Sequence, residues 1–196
     1  MRTDAPVRPQ RVAALALGVF AAAVALWGAL ISPTSSVAID GLCLYGTRAR
    51  SIVPFVLLMA VLSGCCAWIG VLVRAEDPVT SNAMIAIAVC ILAIVATPYT
   101  INGTVNAVHV TFGTILFLLQ LGVIARVVGW PVEPAVVPLL CAVAVGDLLA
   151  FGALTLDWPT MWVGQVLSQA GFLGVLVMWP AGVGTRPSRS APTASE

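Results

Sequence analysis

The sequence predicts an all-α integral membrane protein, a bundle of six transmembrane helices with both its N- and C-termini in the cytoplasm. Two compositional observations point to this class. Of the 196 residues, 60% are hydrophobic and only 9% are charged, whereas a soluble domain has about 25% charged residues and about 45–50% apolar ones. The few charges cannot cover a water-facing surface. The third observation is the length of the apolar stretches.

Six apolar stretches are long enough to cross a hydrocarbon core of about 30 Å at about 1.5 Å per helical residue. They run over residues 11–32, 52–73, 83–101, 107–128, 135–156 and 160–180. The prolines near them fall in connectors or in terminal turns, where they do not interrupt a helix. Residues 1–10 are predicted to be a cytoplasmic segment, 11–180 the membrane domain and 181–196 a disordered cytoplasmic tail rich in Pro, Ser, Thr and Ala.

The first stretch follows three arginines and could also be a cleaved signal peptide. Its apolar run is longer than the about 7–15 residues of a signal sequence, and no small-x-small cleavage site follows Leu30. We therefore predict a retained helix. The alternative is a cleaved segment that leaves five helices.

The arginines predict the orientation, because connectors on the cytoplasmic side are enriched in basic residues. With the N-terminus inside, only Arg48 and Arg50 lie outside. The inner side then holds Arg2, Arg8, Arg11, Arg74, Arg126, Arg186 and Arg189. The chain has no lysine, which is typical of a GC-rich bacterium, so we predict a multi-pass protein of the bacterial cell membrane.

The sequence lacks the residues that several kinds of enzyme and metal site require. His109 is the only histidine, so a single chain offers neither a bis-histidine haem nor a paired-histidine zinc site. No C-x-x-C or G-x-S-x-G motif is present. Asp147 follows Gly146 but lacks the first glycine of the intramembrane aspartyl protease motif. We predict no enzyme activity, no cofactor, no metal site and no nucleic-acid partner.

Asp147 is the most informative residue, because it lies near the middle of the fifth stretch. A charge at that depth costs about 2.5–3.5 kcal/mol on insertion scales. Helical rise places it level with Gln165 and Gln169, and the simplest prediction is that one of these glutamines binds a protonated Asp147. The alternative is a site for a polar ligand or a proton. The candidate cluster is His109, Gln120, Asp147, Gln165, Ser168 and Gln169.

Small residues predict that helices five and six approach closely, in the small-xxx-small manner of membrane helices. One stripe is Ala142, Gly146 and Ala150, and the facing one is Gly164, Ser168 and Gly171.

The outer loop 33–51 is long enough for a short structured element. Uncharged polar residues between helices three and four could line the mouth of an outward cavity or could be ordinary loop residues. These are Thr97, Thr100, Asn102, Thr104 and Asn106.

The stretch 98–109, Pro-Tyr-Thr-Ile-Asn-Gly-Thr-Val-Asn-Ala-Val-His, leads into an apolar helix with Phe112 and Phe117. In this proline-containing loop before a histidine at the start of helix four, the chain resembles six-helix bacterial membrane domains of unknown function related to the DRAM-like family. The segment from Val163 to Trp179 resembles the last helix of that family. The resemblance implies a six-helix integral membrane protein and no defined activity.

Two functional hypotheses follow. The first is a non-enzymatic accessory or structural membrane component, in which the polar cluster serves packing. The second is a small carrier, or a protein that binds a lipid or small molecule, with an outward-facing polar cavity around Asp147. The expected partners are the lipid bilayer and another membrane protein. The sequence does not determine the oligomeric state.

Overall fold

A computed structural model describes residues 8–30 and 41–179 of the chain. All regular structure in these two ranges is helical, and neither range contains a strand. The six long helices are α1 (Pro9–Leu30), α2 (Ile52–Val73), α3 (Pro78–Ala96), α4 (Gly103–Val127), α5 (Val137–Leu156) and α6 (Met161–Met178). A short 3-10 helix, Leu42–Thr47, precedes α2.

The predicted all-α class with six membrane-spanning helices is confirmed. All six long helices in the described part of the chain are long and apolar enough to cross a membrane, so the chain is a multi-pass membrane protein. Helix α1 already includes residues 9 and 10, which the sequence placed in the N-terminal segment. The remainder of that segment, residues 1–7, lies outside the described residues, as does the predicted tail 181–196.

Helix α3 differs most from its predicted span, 83–101. It begins at Pro78 because Asp77 caps it: the Asp77 carboxylate accepts the backbone N–H of Thr80 over 3.1 Å, and proline is well tolerated in a first turn. It ends at Ala96, just before Thr97 and Pro98, because the residue that precedes a proline disfavours helical geometry. A search for apolar residues alone misses both boundaries.

The helices form a chain of neighbours. Helix α1 packs between α2 and α6, α2 packs on α3, and α3 packs on α4. Helix α4 returns to touch α6 over a short stretch, while α5 packs extensively on α6 alone. The start of α1 and the end of α6 lie together, since the Gln10 side-chain amide donates to the Trp179 carbonyl over 2.8 Å. We call the end of the bundle that holds Gln10 and Trp179 the terminal end. The opposite end, which holds the 3-10 helix, is the loop end.

The 3-10 helix closes the loop end. Tyr45 stacks on Trp27 of α1 with ring centroids 4.6 Å apart, and Phe55 of α2 lies 6.2 Å from the same tryptophan. The Ser51 hydroxyl donates to the Tyr45 carbonyl over 2.8 Å. The small structured element predicted in the loop 33–51 is confirmed at 42–47, and residues 31–40 lie outside the described residues.

An ion pair joins α3 and α4 at the terminal end. The Arg126 guanidinium, in the last turn of α4, donates from Nε to both carboxylate oxygens of Asp77, at 3.0 and 2.8 Å. The same carboxylate caps α3. Asp77 therefore fixes the beginning of one helix against the end of the next.

Candidate functional site

A cavity of about 250 Å³ lies among the helices in the half of the bundle toward the loop end. Every long helix and the 3-10 helix contribute to its wall. The buried apolar part of the wall includes Phe20 of α1, Leu62 of α2 and Ile91 of α3. The lining contains no Asp, Glu, Lys or Arg among the residues that the structure describes.

Gln165 of α6 supplies one polar group to this wall. Its carbonyl oxygen accepts the backbone N–H of Leu42 over 2.7 Å. The chain reaches this position through Gly41, which has a φ of 71°, a conformation that suits glycine. A Cβ at Gly41 would lie 2.5 Å from the Gln165 oxygen. Glycine is thus required here both for its backbone angle and for the close approach.

The bond to Leu42 also fixes which way the Gln165 amide points. Because a backbone N–H needs an acceptor, the carbonyl oxygen Oε1 faces the 3-10 helix and the amide nitrogen Nε2 is left for another partner. Within the described ranges Nε2 donates no hydrogen bond, and this nitrogen is not among their fully buried, unpaired polar atoms. Gln165 lines the cavity, so it can donate to a ligand there.

Gln120 and Gln169 link α4 and α6 deeper in the bundle. The Gln120 amide donates to the Gln169 carbonyl over 2.9 Å, and the Gln169 amide donates back over 3.1 Å. Gln169 lines the cavity, while Gln120 is buried. The reciprocal pair satisfies one donor and one acceptor on each side chain.

His109 is held between the α3–α4 connector and the 3-10 helix. Its Nδ1 lies 2.7 Å from the Thr97 carbonyl oxygen, which can only accept, so Nδ1 carries the proton. In the neutral ring Nε2 then accepts from the Cys43 thiol at 3.3 Å. The ring also lies against Tyr99, with centroids 5.7 Å apart. His109, Cys43 and Tyr99 all line the cavity.

Cys43 has the elements of a cysteine–histidine pair, but its protonation state argues against nucleophilic chemistry. Desolvation by burial raises the pKa of the Cys43 thiol to about 12. The thiolate is the reactive form of cysteine, so at neutral pH nearly every Cys43 side chain is an unreactive thiol. The pair therefore acts as a hydrogen bond between the 3-10 helix and α4.

Asp147 lies elsewhere, at the contact of α5 with α6. Its carboxylate accepts the Ser168 hydroxyl over 2.6 Å, and it is half-buried. The prediction that a glutamine binds Asp147 is wrong. Ser168 lies on the face of α6 that packs against α5, whereas Gln165 and Gln169 are turned toward the cavity and have other partners. Asp147 does not line the cavity.

The close approach of α5 and α6 is confirmed at the predicted small residues. A Cβ at Gly164 would lie 2.5 Å from the Ala150 nitrogen and 2.7 Å from the Gly146 oxygen. One at Gly146 would lie 2.7 Å from the Gly164 oxygen. A Cβ at Gly171 would likewise clash with the Val143 side chain and the Leu139 carbonyl oxygen. The two helices therefore pack backbone to backbone, and Asp147 binds Ser168 beside this contact.

The six candidate residues thus separate into two places. His109, Gln165 and Gln169 line the cavity, with Gln120 bound to Gln169, while Asp147 and Ser168 belong to the α5–α6 contact. Of the polar residues before His109, Asn106 lines the cavity and Asn102 caps α4 by accepting the Val105 N–H over 2.9 Å.

The sequence did not point to Cys43 or to the Leu42 backbone as parts of the site. Cys43 is 66 residues from His109 in sequence, and Leu42 is 123 residues from Gln165. The available signal was Gly41, because a glycine after Asp40 favours a turn. A turn there brings the following residues back over the bundle.

The chemistry available in the cavity is hydrogen bonding within an apolar wall. Among the described residues, no group of three or more His, Cys, Asp or Glu side chains could hold a metal ion. Comparisons with protein-family models, with curated proteins and with solved structures give no match to this chain.

Proposed function

We propose that the chain is a membrane-embedded binding protein that takes a small, mainly apolar molecule into the cavity between its helices. The observation that carries this proposal is the cavity itself, which has a volume of about 250 Å³ and a wall without charged side chains. An engineered apolar cavity of about 150 Å³ already binds benzene. Ligand sites in general combine an apolar wall with a few placed polar groups, here His109, Gln165 and Gln169.

The orientation and location belong to the same proposal. The terminal end carries Arg8, Arg11, Arg74 and Arg126 among the described residues, and the loop end carries Arg48 and Arg50. Basic residues favour the cytoplasmic side, so both termini would be cytoplasmic and the cavity would lie in the outer half of a bacterial cell membrane. The relation to the DRAM-like family stays a prediction and names no ligand.

The second candidate is the accessory or structural role, in which the protein has no ligand and acts through a membrane-protein partner. The bond between Asp147 and Ser168 favours it, because the residue that the sequence marked as most informative, Asp147, lies at a helix–helix contact. The two candidates differ in what the cavity does, so an experiment on the cavity wall separates them.

Two glycines on α4 provide a matched pair for that experiment. A Cβ at Gly113 or at Gly122 meets no atom within 4 Å, so a larger side chain fits at either position. Gly113 lines the cavity and Gly122 does not. Gly113→Phe should therefore fill the cavity, while Gly122→Phe adds the same ring on the same helix outside it.

The measurement is native mass spectrometry of the full chain released from mild detergent. The proposal predicts that the wild-type chain and Gly122→Phe retain a bound small apolar molecule and that Gly113→Phe loses it. Equal retention by all three proteins, or no bound molecule in any of them, would contradict the proposal and favour the accessory role.

A further inference from the structure

The cavity has an opening on one side of the bundle. Three of its lining residues on α4, Asn106, Val110 and Thr114, are also exposed. They are spaced by four residues and so share one face of the helix. On α5 the lining residue Leu154 is 51% exposed, whereas Phe20 and Leu62 on the far wall are 2% and 6% exposed. The opening therefore lies between α4 and α5.

The packing of the helices agrees with this position. Helix α5 packs extensively on α6 alone, and α4 packs on α3 and only briefly on α6. Helices α4 and α5 are thus not held together along their length. The gap between them leads to the cavity wall formed by α4 and α6.

The opening begins near the start of α4, at Asn106, and extends along the helix to Thr114 at the depth of the hydrocarbon core. Thr114 lies eleven residues after Gly103, the first residue of α4, which is about 16 Å along the helix. The Thr114 hydroxyl donates to the Val110 carbonyl over 2.9 Å, so it does not need water. At this depth the opening faces the lipid, so an apolar molecule can reach the cavity from there.

The chemistry of the wall restricts what can enter. A ligand with a full charge would find no charged residue among those described that line the cavity. The Gln165 Nε2 group is a donor whose direction is fixed by the bond of Oε1 to Leu42, so the matching ligand group is an acceptor. A volume of about 250 Å³ is below the about 300–1,000 Å³ of common ligand pockets, which favours one hydrocarbon chain over two.

We infer that the cavity binds a neutral, single-chain lipid with a carbonyl group, which enters sideways from the bilayer between α4 and α5 and accepts a hydrogen bond from Gln165. This inference rests on the proposed function and adds to it the ligand class and the route of entry.

The ligand class is tested with two photoreactive probes that differ only in the acceptor. Methyl dodecanoate and dodecane, each with a diazirine on the chain, are added to the full-length protein in lipid nanodiscs. Labelling at the interior residues Phe20 and Met59 themselves is located by fragmentation in mass spectrometry, because other residues of the same helices, such as Leu15 and Leu57, are exposed on the outside of the bundle. One hydrogen bond corresponds to an about two- to twelvefold preference, so the wild-type chain should favour the ester by a factor in that range.

Gln165→Leu then separates binding from folding. The variant should lose the preference for the ester while its labelling by dodecane stays close to the wild-type level. If Gln165→Leu loses labelling by both probes equally, Gln165 only holds the 3-10 helix in place and the inference fails. Equal labelling of the wild-type chain by ester and alkane would also overturn the inference. The second result does not depend on any variant.

The route of entry is tested with two valines of equal exposure on α4. Val110 is 37% exposed and lines the cavity, and Val108 is 38% exposed and does not. Val110→Trp should slow interior labelling by both probes at least severalfold, and Val108→Trp should leave the rate unchanged. Equal rates in the two variants would exclude the route between α4 and α5.

These results also separate the inference from the proposed function. If Phe20 and Met59 are labelled but without preference for the ester or for the side opening, the binding function stands and the inference fails. If neither Phe20 nor Met59 is labelled by either probe, both fail.

Discussion

Gln120 and Gln169 bind each other through both ends of their side-chain amides, with Nε2 to Oε1 distances of 2.9 and 3.1 Å. This pair joins α4 to α6, two helices that otherwise touch only briefly. Its position matters because Gln169 also lines the cavity. The pair therefore joins the two sides of the cavity wall where α4 and α6 have little other packing.

The first prediction concerns this pair. Gln120→Leu should lower the free energy of unfolding by about 1–3 kcal/mol, because it leaves the half-buried amide of Gln169 without its partner. Replacing both glutamines by leucine should cost less than the sum of the single changes. Unfolding by denaturant in mixed micelles measures all three variants. Additive costs would show that the two side chains do not interact.

The second prediction concerns the contact of α5 with α6. Gly146→Val should destabilise the bundle by about 1–3 kcal/mol or more, since its side chain must push against the backbone of Gly164 and Ser168. Gly122→Val is the control, because a side chain there meets no atom within 4 Å. Similar midpoints for the two variants in the same unfolding assay would refute close packing at Gly146.

The third prediction concerns Asp147. Asn offers the same acceptor oxygen to the Ser168 hydroxyl, so Asp147→Asn should retain the stability of the fold, whereas Asp147→Leu should cost about 0.6–2 kcal/mol. Neither change should alter binding in the cavity, since Asp147 does not line it. A loss of bound molecule in Asp147→Asn, with the fold intact, would instead make Asp147 part of a ligand or proton site.

The fourth prediction concerns the reactivity of Cys43. Its thiol has a pKa raised to about 12 by burial, against an ordinary value of 9.0. In a variant that retains Cys43 alone, the rate of reaction with a methanethiosulfonate should rise about tenfold per pH unit from pH 7 to pH 10, because the reactive thiolate increases by that factor. The denatured chain serves as control and should level off near pH 9. Levelling off of the folded chain at the same pH would show that the thiol is not buried.

The sequence predicted the number of helices and most of their bounds, because a span needs about 20 apolar residues and the chain has six such stretches. The predicted range 52–73 coincides with α2. The start of α3 was missed because it depends on a cap by Asp77 rather than on hydropathy. The close contact around Gly146 and Gly164 was also predictable from the sequence, since small residues four apart indicate close helix packing.

The site was less accessible to the same reasoning. Helical rise gives the depth of a side chain but not which neighbour it faces, so Asp147 was placed level with Gln165 although Ser168 is its partner. The contact of Cys43 with His109 depends on how the 3-10 helix folds back over the bundle. That path is determined by tertiary contacts, such as the one between Leu42 and Gln165, that no local pattern encodes.

The most direct test of the binding cavity is a crystal structure of the full chain grown with methyl 12-bromododecanoate, in which the bromine is located by its anomalous scattering. The account predicts a bromine peak inside the cavity, within contact distance of the wall formed by Phe20, Leu62 and Ile91, or in the opening beside Val110 and Leu154. Bromine peaks confined to the outer, lipid-facing surfaces of the helices would contradict it.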